Sequence, residues 1–154
     1  MSSPEHIQRL LREIGPAIDA DAILQHGDGA WSILCDEDTV IEADYAAARQ
    51  SLTLAMDLGV PPERTRLRCY EALLICTYLG QGAGGVAMAL DGPRGTVVQR
   101  LDVVATGLDL GTLQVTLARF IEHAREWRAV IAEDALMADT PPGPQAPPVG
   151  ALRI

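Results

Sequence analysis

Gly80, Gly82 and Gly85 carry the spacing G-x-G-x-x-G, which in a dinucleotide-binding turn lets backbone N–H groups close on a pyrophosphate. That chemistry needs a strand, then the glycine turn, then a helix. Here an apolar helical run precedes the glycines and an extended run follows, so the order is reversed and the spacing is left without its use. His6, His26 and His123 fall in three separate segments, none with a second ligand at metal spacing. Asp36-Glu37-Asp38 gathers three carboxylates, the raw material of a cation site or an acid–base pair. No glycine-spaced calcium loop surrounds them, and a hydrophilic hairpin turn accounts for them. Ser32 and Ser51 have no base beside them in the sequence. Cys35, Cys69 and Cys76 each sit in an apolar run, as reduced interior thiols do, with neither metal spacing nor an even number for pairing. The expectation is a protein with no catalytic residues, no metal site and no cofactor.

The elements that would position these residues follow from composition and pattern. A chain of 154 residues is expected to make one domain with a sizeable core. Aromatics are only 4%, so Leu, Ile, Val and Ala must fill that core. Twelve arginines and no lysine stand against 21 acidic residues, for a net charge of −9. A polyanion such as nucleic acid, or an anionic membrane, needs a basic face, which this balance argues against. The start of the chain has no apolar signal-peptide core, and reduced thiols suit a cytosol. Ala72 to Leu90 lacks charge over nearly the length of a membrane span, but glycines occupy its centre and positive flanks are missing. Helix, turn and strand explain the run better.

The chain is organised around Arg68 to Leu79. Pro61, Pro62 and Glu63 are expected to open this helix and Gly80 to close it. Cys69, Ala72, Cys76 and Leu79 form one apolar stripe; Tyr70, Leu74 and Tyr78 form another. One stripe can be covered by the chain's own sheet, which leaves the other for a second subunit. Before it come a short amphipathic helix from Pro4 with Ile7, Leu10, Leu11 and Ile14 on one face, and a polar connector from Asp19 to Ala30. Three strands follow, over Trp31–Cys35, Thr39–Ala43 and Ser51–Asp57, with short links that favour an antiparallel meander. The Tyr45–Arg49 stretch, with its alanines, leaves loop and helical turn equally open. After the central helix, Val86–Leu90 and Thr96 onward make a hairpin across Asp91-Gly92-Pro93-Arg94-Gly95. A last helix, capped by Asp109 or Thr112, carries Leu113, Leu117, Phe120, Ala124, Trp127 and Ile131. From Asp139 the chain is a tail, with five of its ten prolines between Pro141 and Pro148, a composition that favours an extended, unpacked segment. The reading is α+β, a five-stranded antiparallel sheet with three helices in the order α-β-β-β-α-β-β-α. It divides into a domain over residues 1–138 and a tail over 139–154.

In this order the chain resembles the class I type III secretion chaperones, the Tir-chaperone-like family of small acidic bacterial proteins. The resemblance spans about residues 4 to 135. It rests on Ile7 to Gly15, the Trp31 to Asp38 strand and turn, Leu52 to Gly59 leading into Pro61-Pro62, Tyr70 to Leu74, Gly85 to Asp91, and Leu117 to Trp127. The proline-rich tail and the Tyr45–Arg49 alanines, expected to shorten or roughen the second strand, depart from the family pattern.

The resemblance implies a cytoplasmic homodimer without enzymatic activity. It would hold the N-terminal segment of a secreted effector in an extended state and hand it to the secretion machine, with the secretion ATPase a further partner. The dimer contact is expected at Tyr70, Leu74 and Tyr78. The effector-binding surface is expected on the first helix and adjoining strands, at Leu10, Leu11, Ile14, Trp31, Ile33, Leu52 and Leu54. Two rival readings remain: a regulatory or structural dimer of the same fold without a client, and a small metabolic enzyme.

Overall fold

A computed structural model describes residues 2–80 and 85–132. The proline-rich tail and most of the glycine turn lie outside the described residues. Helix α1 spans Pro4–Ile14, with Ser3 accepting at its side-chain oxygen from the His6 N–H and Pro4 in the first turn. Its four apolar side chains, Ile7, Leu10, Leu11 and Ile14, are buried. A hydrogen-bonded knot fixes where it begins. The Ser2 hydroxyl donates to Ala105 O (2.5 Å), Tyr45 Oη donates to Ser2 O (2.5 Å), and Gln50 Nε2 donates to Tyr45 Oη (2.7 Å).

The sheet has six strands where sequence patterning gave five. The additional strand is β1, Ala22–Gln25, inside what read as a polar connector. Only Ile23 of its four residues turns toward the core, so no alternation is visible from sequence. The others are β2 (Ala30–Asp36), β3 (Thr39–Ala46), β4 (Ser51–Gly59), β5 (Ala87–Asp91) and β6 (Thr96–Val104), all antiparallel in the order β1-β2-β3-β4-β6-β5. The meander over β2, β3 and β4 and the β5–β6 hairpin are as the short links required. Strand β3 is longer than the Tyr45–Arg49 alanines suggested: Tyr45 is buried and pairs with Leu52, and the 3-10 turn begins only at Ala47.

Helix α2 spans Arg66–Gly80, not from Pro61. Thr65 N bonds Pro62 O and Arg66 N bonds Glu63 O, three residues back; the first four-residue bond is Cys69 N to Thr65 O. The proline pair therefore makes a separate tight turn that feeds the helix. Helix α3, Leu110–Ala132, is capped by Asp109, whose carboxylate accepts from Thr112 N at 2.7 Å. That bond holds the Asp109 carboxyl below its usual range. Leu113, Leu117, Phe120, Ala124 and Ile131 are buried as expected, joined by Ile121, while Trp127 is half-buried.

The core lies between one face of the sheet and helices α1 and α3. From β4 it takes Leu52, Leu54, Met56 and Leu58, alternating with outward Thr53, Ala55 and Asp57. Its one buried amide side chain is fully used. Gln99 Nε2 donates to Phe120 O (2.8 Å), and Gln99 Oε1 accepts from His123 Nδ1 (2.6 Å), tying β6 to α3.

Candidate functional site

The residues that could have done chemistry are held by structural bonds. His6 Nε2 lies 3.2 Å from Leu108 O, and His123 serves Gln99 as described. Ser32 does meet a histidine and a carboxylate that the sequence keeps apart: His26 Nε2 is 2.7 Å from its hydroxyl oxygen, and the hydroxyl donates to Glu42 Oε2 at 2.8 Å. The order is wrong for a nucleophile, because the carboxylate takes the serine's proton rather than orienting the histidine. These bonds instead join the β1–β2 turn to β2 and β3. Ser51 opens β4, paired across to Ala46 and Val104.

Asp36 turns back on its own hairpin, accepting from Asp38 N at 3.0 Å. The Thr39 hydroxyl, above all, keeps its carboxyl below the usual range. Among the described residues no group of His, Cys, Asp and Glu is placed to hold a metal. Burial pushes the Cys35 and Cys69 thiols up, away from the reactive thiolate. No helix among the described residues is long and apolar enough to cross a membrane.

What the surface offers is apolar and geometric. Helix α2 buries Cys69 and Leu73 against the sheet, with Tyr70, Ala72 and Cys76 half-buried. Its opposite side presents Leu67, Leu74, Ile75, Tyr78 and Leu79, each between 60% and 78% exposed. Leu79, assigned by spacing to the inner stripe, is thus on the outer one, beside Leu74 and Tyr78. Tyr70 is anchored differently from its stripe-mates. Its hydroxyl donates to Gly95 O (3.1 Å), and Gly95 sits at φ +71°, where a Cβ would strike that hydroxyl. Between α2 and β5 runs an apolar groove of about 220 Å³, lined by Tyr70, Leu73, Leu74, Met88, Ala89 and Leu90.

The two sheet edges differ. On β5, Met88 N donates to the Thr77 hydroxyl of α2 at 3.0 Å, so the helix covers that edge. Strand β1 pairs on one side only, with β2. His26 N bonds Ala30 O, and the same register pairs Leu24 with Ser32 and Ala22 with Leu34. Antiparallel alternation then turns the N–H and C=O groups of Ile23 and Gln25 outward. Helix α1 flanks this edge, with Gln8 Nε2 donating to Gln25 Oε1. Sequence reasoning missed the edge because it missed the strand.

The seven side chains expected to bind an effector are placed plainly. Leu10, Leu11, Ile14, Trp31, Ile33, Leu52 and Leu54 are all buried in the core. The structure brings them together, but as the contact between α1 and the sheet rather than as surface. An amphipathic helix this short holds its place only by burying that stripe. What α1 and the adjoining strand leave accessible is the backbone of β1.

A second opening lies where β3 and β4 part beyond Glu42 and Ala55, a cleft of about 260 Å³. Arg128 of α3 fills it, donating to Asp57 O through Nη2 (2.6 Å) and to the Thr39 hydroxyl through Nη1 (3.2 Å).

The model of the Tir chaperone protein (CesT) family matches residues 9–128. No curated protein matches the chain by sequence. Among solved structures, the chain is similar to one in the crystal structure of the ExsC–ExsE complex, with a TM-score of 0.71 and 23% identity over 85% of this chain and 97% of that one. It is also similar to a chain of the HopA1–SchA chaperone–effector complex (TM-score 0.64, 20% identity, 79% and 92% covered). A third likeness is to a chain in the structure of the Yersinia pestis type III secretion chaperone SycH with a stable fragment of YscM2 (TM-score 0.58, 15% identity, 77% and 97% covered). At these identities the likeness shows the shared fold.

Proposed function

The chain belongs to the Tir chaperone protein (CesT) family, and from that premise we propose that it is a type III secretion chaperone for a secreted effector. It binds the effector's N-terminal segment, keeps it soluble and secretion-competent, and delivers it in the bacterial cytoplasm to the export apparatus and its ATPase. The observation that carries this reading is the family match across residues 9–128, which takes in every helix and strand except the first turn of α1 and the last of α3. Structural relatives solved as complexes, one of them named a chaperone–effector complex, support it.

Holding a chain extended calls for backbone partners and no reaction. An edge strand with outward N–H and C=O groups supplies such partners, and side chains beside it set the register. Strand β1, flanked by α1, has that character, which keeps the client surface on the first helix and the adjoining strand. Its means are the outward groups of Ile23 and Gln25, not the seven buried side chains. The second partner is a second copy of the chain. The outer face of α2, with Leu74 and Tyr78 at its centre and the Tyr70-lined groove beside it, is the surface for a homodimer. The domain over residues 1–138 carries these functions without the tail.

The test is co-purification from the native bacterium with mass spectrometry of what is captured, compared between the unaltered chain and Gln25→Pro. Proline at Gln25 removes an outward donor and leaves the β1–β2 bonds intact. A secreted protein captured through its N-terminal segment, and lost from Gln25→Pro, is the expected result. Capture of no secreted protein overturns the function; capture unchanged by Gln25→Pro moves the site off β1.

A further inference from the structure

The same edge has a candidate occupant within the chain. Helix α3 ends at Ala132, and residues 133–154 lie beyond the described part. The last turns of α3 are fixed by buried Ile131 and by Arg128, which bonds the Thr39 hydroxyl at the start of β3. Val40, next to Thr39, pairs with Leu34 of β2, and Leu34 pairs with Ala22, the first residue of β1. The end of α3 and the start of β1 therefore share one end of the sheet, separated laterally by two strand spacings of about 4.8 Å each. The sixteen residues 133–148 between Ala132 and Val149 span that distance easily, at a mean reach of roughly 20 Å even for a flexible chain.

Only one stretch of the tail suits an edge. Residues 141–148 hold five prolines and can donate few backbone bonds. Residues 133–140 carry Glu133, Asp134 and Asp139, like in charge to Asp19, Asp21 and Asp28, which flank β1 at its two ends. Val149-Gly150-Ala151-Leu152-Arg153-Ile154 has an N–H at every position, β-branched residues at both ends, and Arg153, the single cation after Arg128.

We propose that residues 149–154 pair with the outward edge of β1 as an internal occupant, which an incoming client must displace. The consequence for clients rests on reading β1 as the client edge; the pairing does not. Tethering through a linker of this length sets an effective concentration of about a millimolar, so even a weak strand is held much of the time. A client that binds more tightly removes it, and unoccupied chaperone keeps its edge from pairing with other chains.

The experiment is amide hydrogen exchange by NMR on the full-length chain, without client, against a full-length variant carrying Ala151→Pro and Leu152→Pro. Two adjacent prolines remove one donor from each phase of the strand, so pairing fails in either register. The Ile23 and Gln25 amides are expected to exchange several-fold more slowly in the unaltered chain, at a rate independent of protein concentration. Synthetic Val-Gly-Ala-Leu-Arg-Ile added to the variant is expected to restore the slowing. Equal rates in the two chains overturn the proposal, as does slowing that grows with concentration, which identifies a second copy on the edge. Because no client is present, this result stands apart from the capture experiment: loss of capture refutes the function and leaves the exchange result to judge the tail.

Discussion

Leu73 and Leu74 are adjacent in α2 and should respond oppositely to the same substitution. Leu73 is 4% exposed and Leu74 is 69% exposed. Fully burying a leucine, isoleucine or similar side chain contributes roughly 1.5–3 kcal/mol. With about two-thirds of each outer side chain still open, Leu67, Leu74, Ile75, Tyr78 and Leu79 each have about 1–2 kcal/mol left to gain. Across both copies that is roughly 10–20 kcal/mol, against an association cost of about 4–15 kcal/mol. The remainder corresponds to a dimer of micromolar affinity or tighter. Leu74→Asp removes two of these contributions and places two carboxylates in an apolar contact, which costs several kcal/mol more if they stay unpaired. The dimer dissociation constant should rise about a thousandfold or more, while the monomer keeps its fold because Leu74 touches little of it. Leu73→Asp should unfold the chain, since its carboxylate would be trapped against the sheet. Sedimentation velocity over a concentration series, with circular dichroism on the same samples, reads both effects. A monomeric unaltered protein at micromolar concentration, or a Leu74→Asp chain that unfolds, would refute the reasoning.

Four further outcomes are expected. Leu11→Ala, at a fully buried position on α1, should lower the unfolding free energy in a urea titration by about 2–5 kcal/mol, identifying its side chain as core. Gln99→Ala should cost about 2–4 kcal/mol in the same assay, because it strands His123 and leaves a buried gap between β6 and α3. Truncation after Ala138 should leave the melting temperature within a few degrees, as a loss near 1 kcal/mol shifts it by about 2–8 °C for domains of this size; a larger drop would show the tail docked as part of the core. The Thr53 hydroxyl, chiefly, holds the Asp102 carboxyl below its ordinary range. A depressed folded-state value contributes stability above the unfolded-state value near pH 4 that is lost as pH falls through the lowered one. Thr53→Val should therefore be less stable than the parent at neutral pH, with the gap closing in thermal melts at about pH 2 to 3; a gap that is constant with pH would assign the effect to packing.

Sequence patterning was strongest where one physical requirement acted alone. The stripe Ile7, Leu10, Leu11 and Ile14 specifies both the first helix and its burial, because a helix of eleven residues has no other source of stability. The same stripe was also assigned to client binding, and there the pattern misled. Apolar spacing says that a face is covered; it does not say whether the cover is the chain's own sheet or another molecule. In α2, where apolar residues run nearly all round, spacing assigned Leu79 to the inner side and could not choose between Leu73 and Leu74.

By itself the sequence determined the class of fold, the α1 and α3 stripes, the meander, the hairpin at Asp91–Gly95 and the want of a catalytic constellation. These depend on residue type and short-range spacing, which act through local sterics and burial period. Only the tertiary structure decided that Ala22–Gln25 is a strand, because four residues with one inward side chain carry no period and are held by pairing to β2. It alone brought His26, Ser32 and Glu42 into one chain of bonds, and it alone settled which side of α2 meets water. It also made the two sheet edges unequal, with Thr77 capping Met88 on β5 while Ile23 and Gln25 on β1 face outward. Each of these rests on contacts between residues remote in the chain, whose cost in ordering is met only when the whole sheet forms.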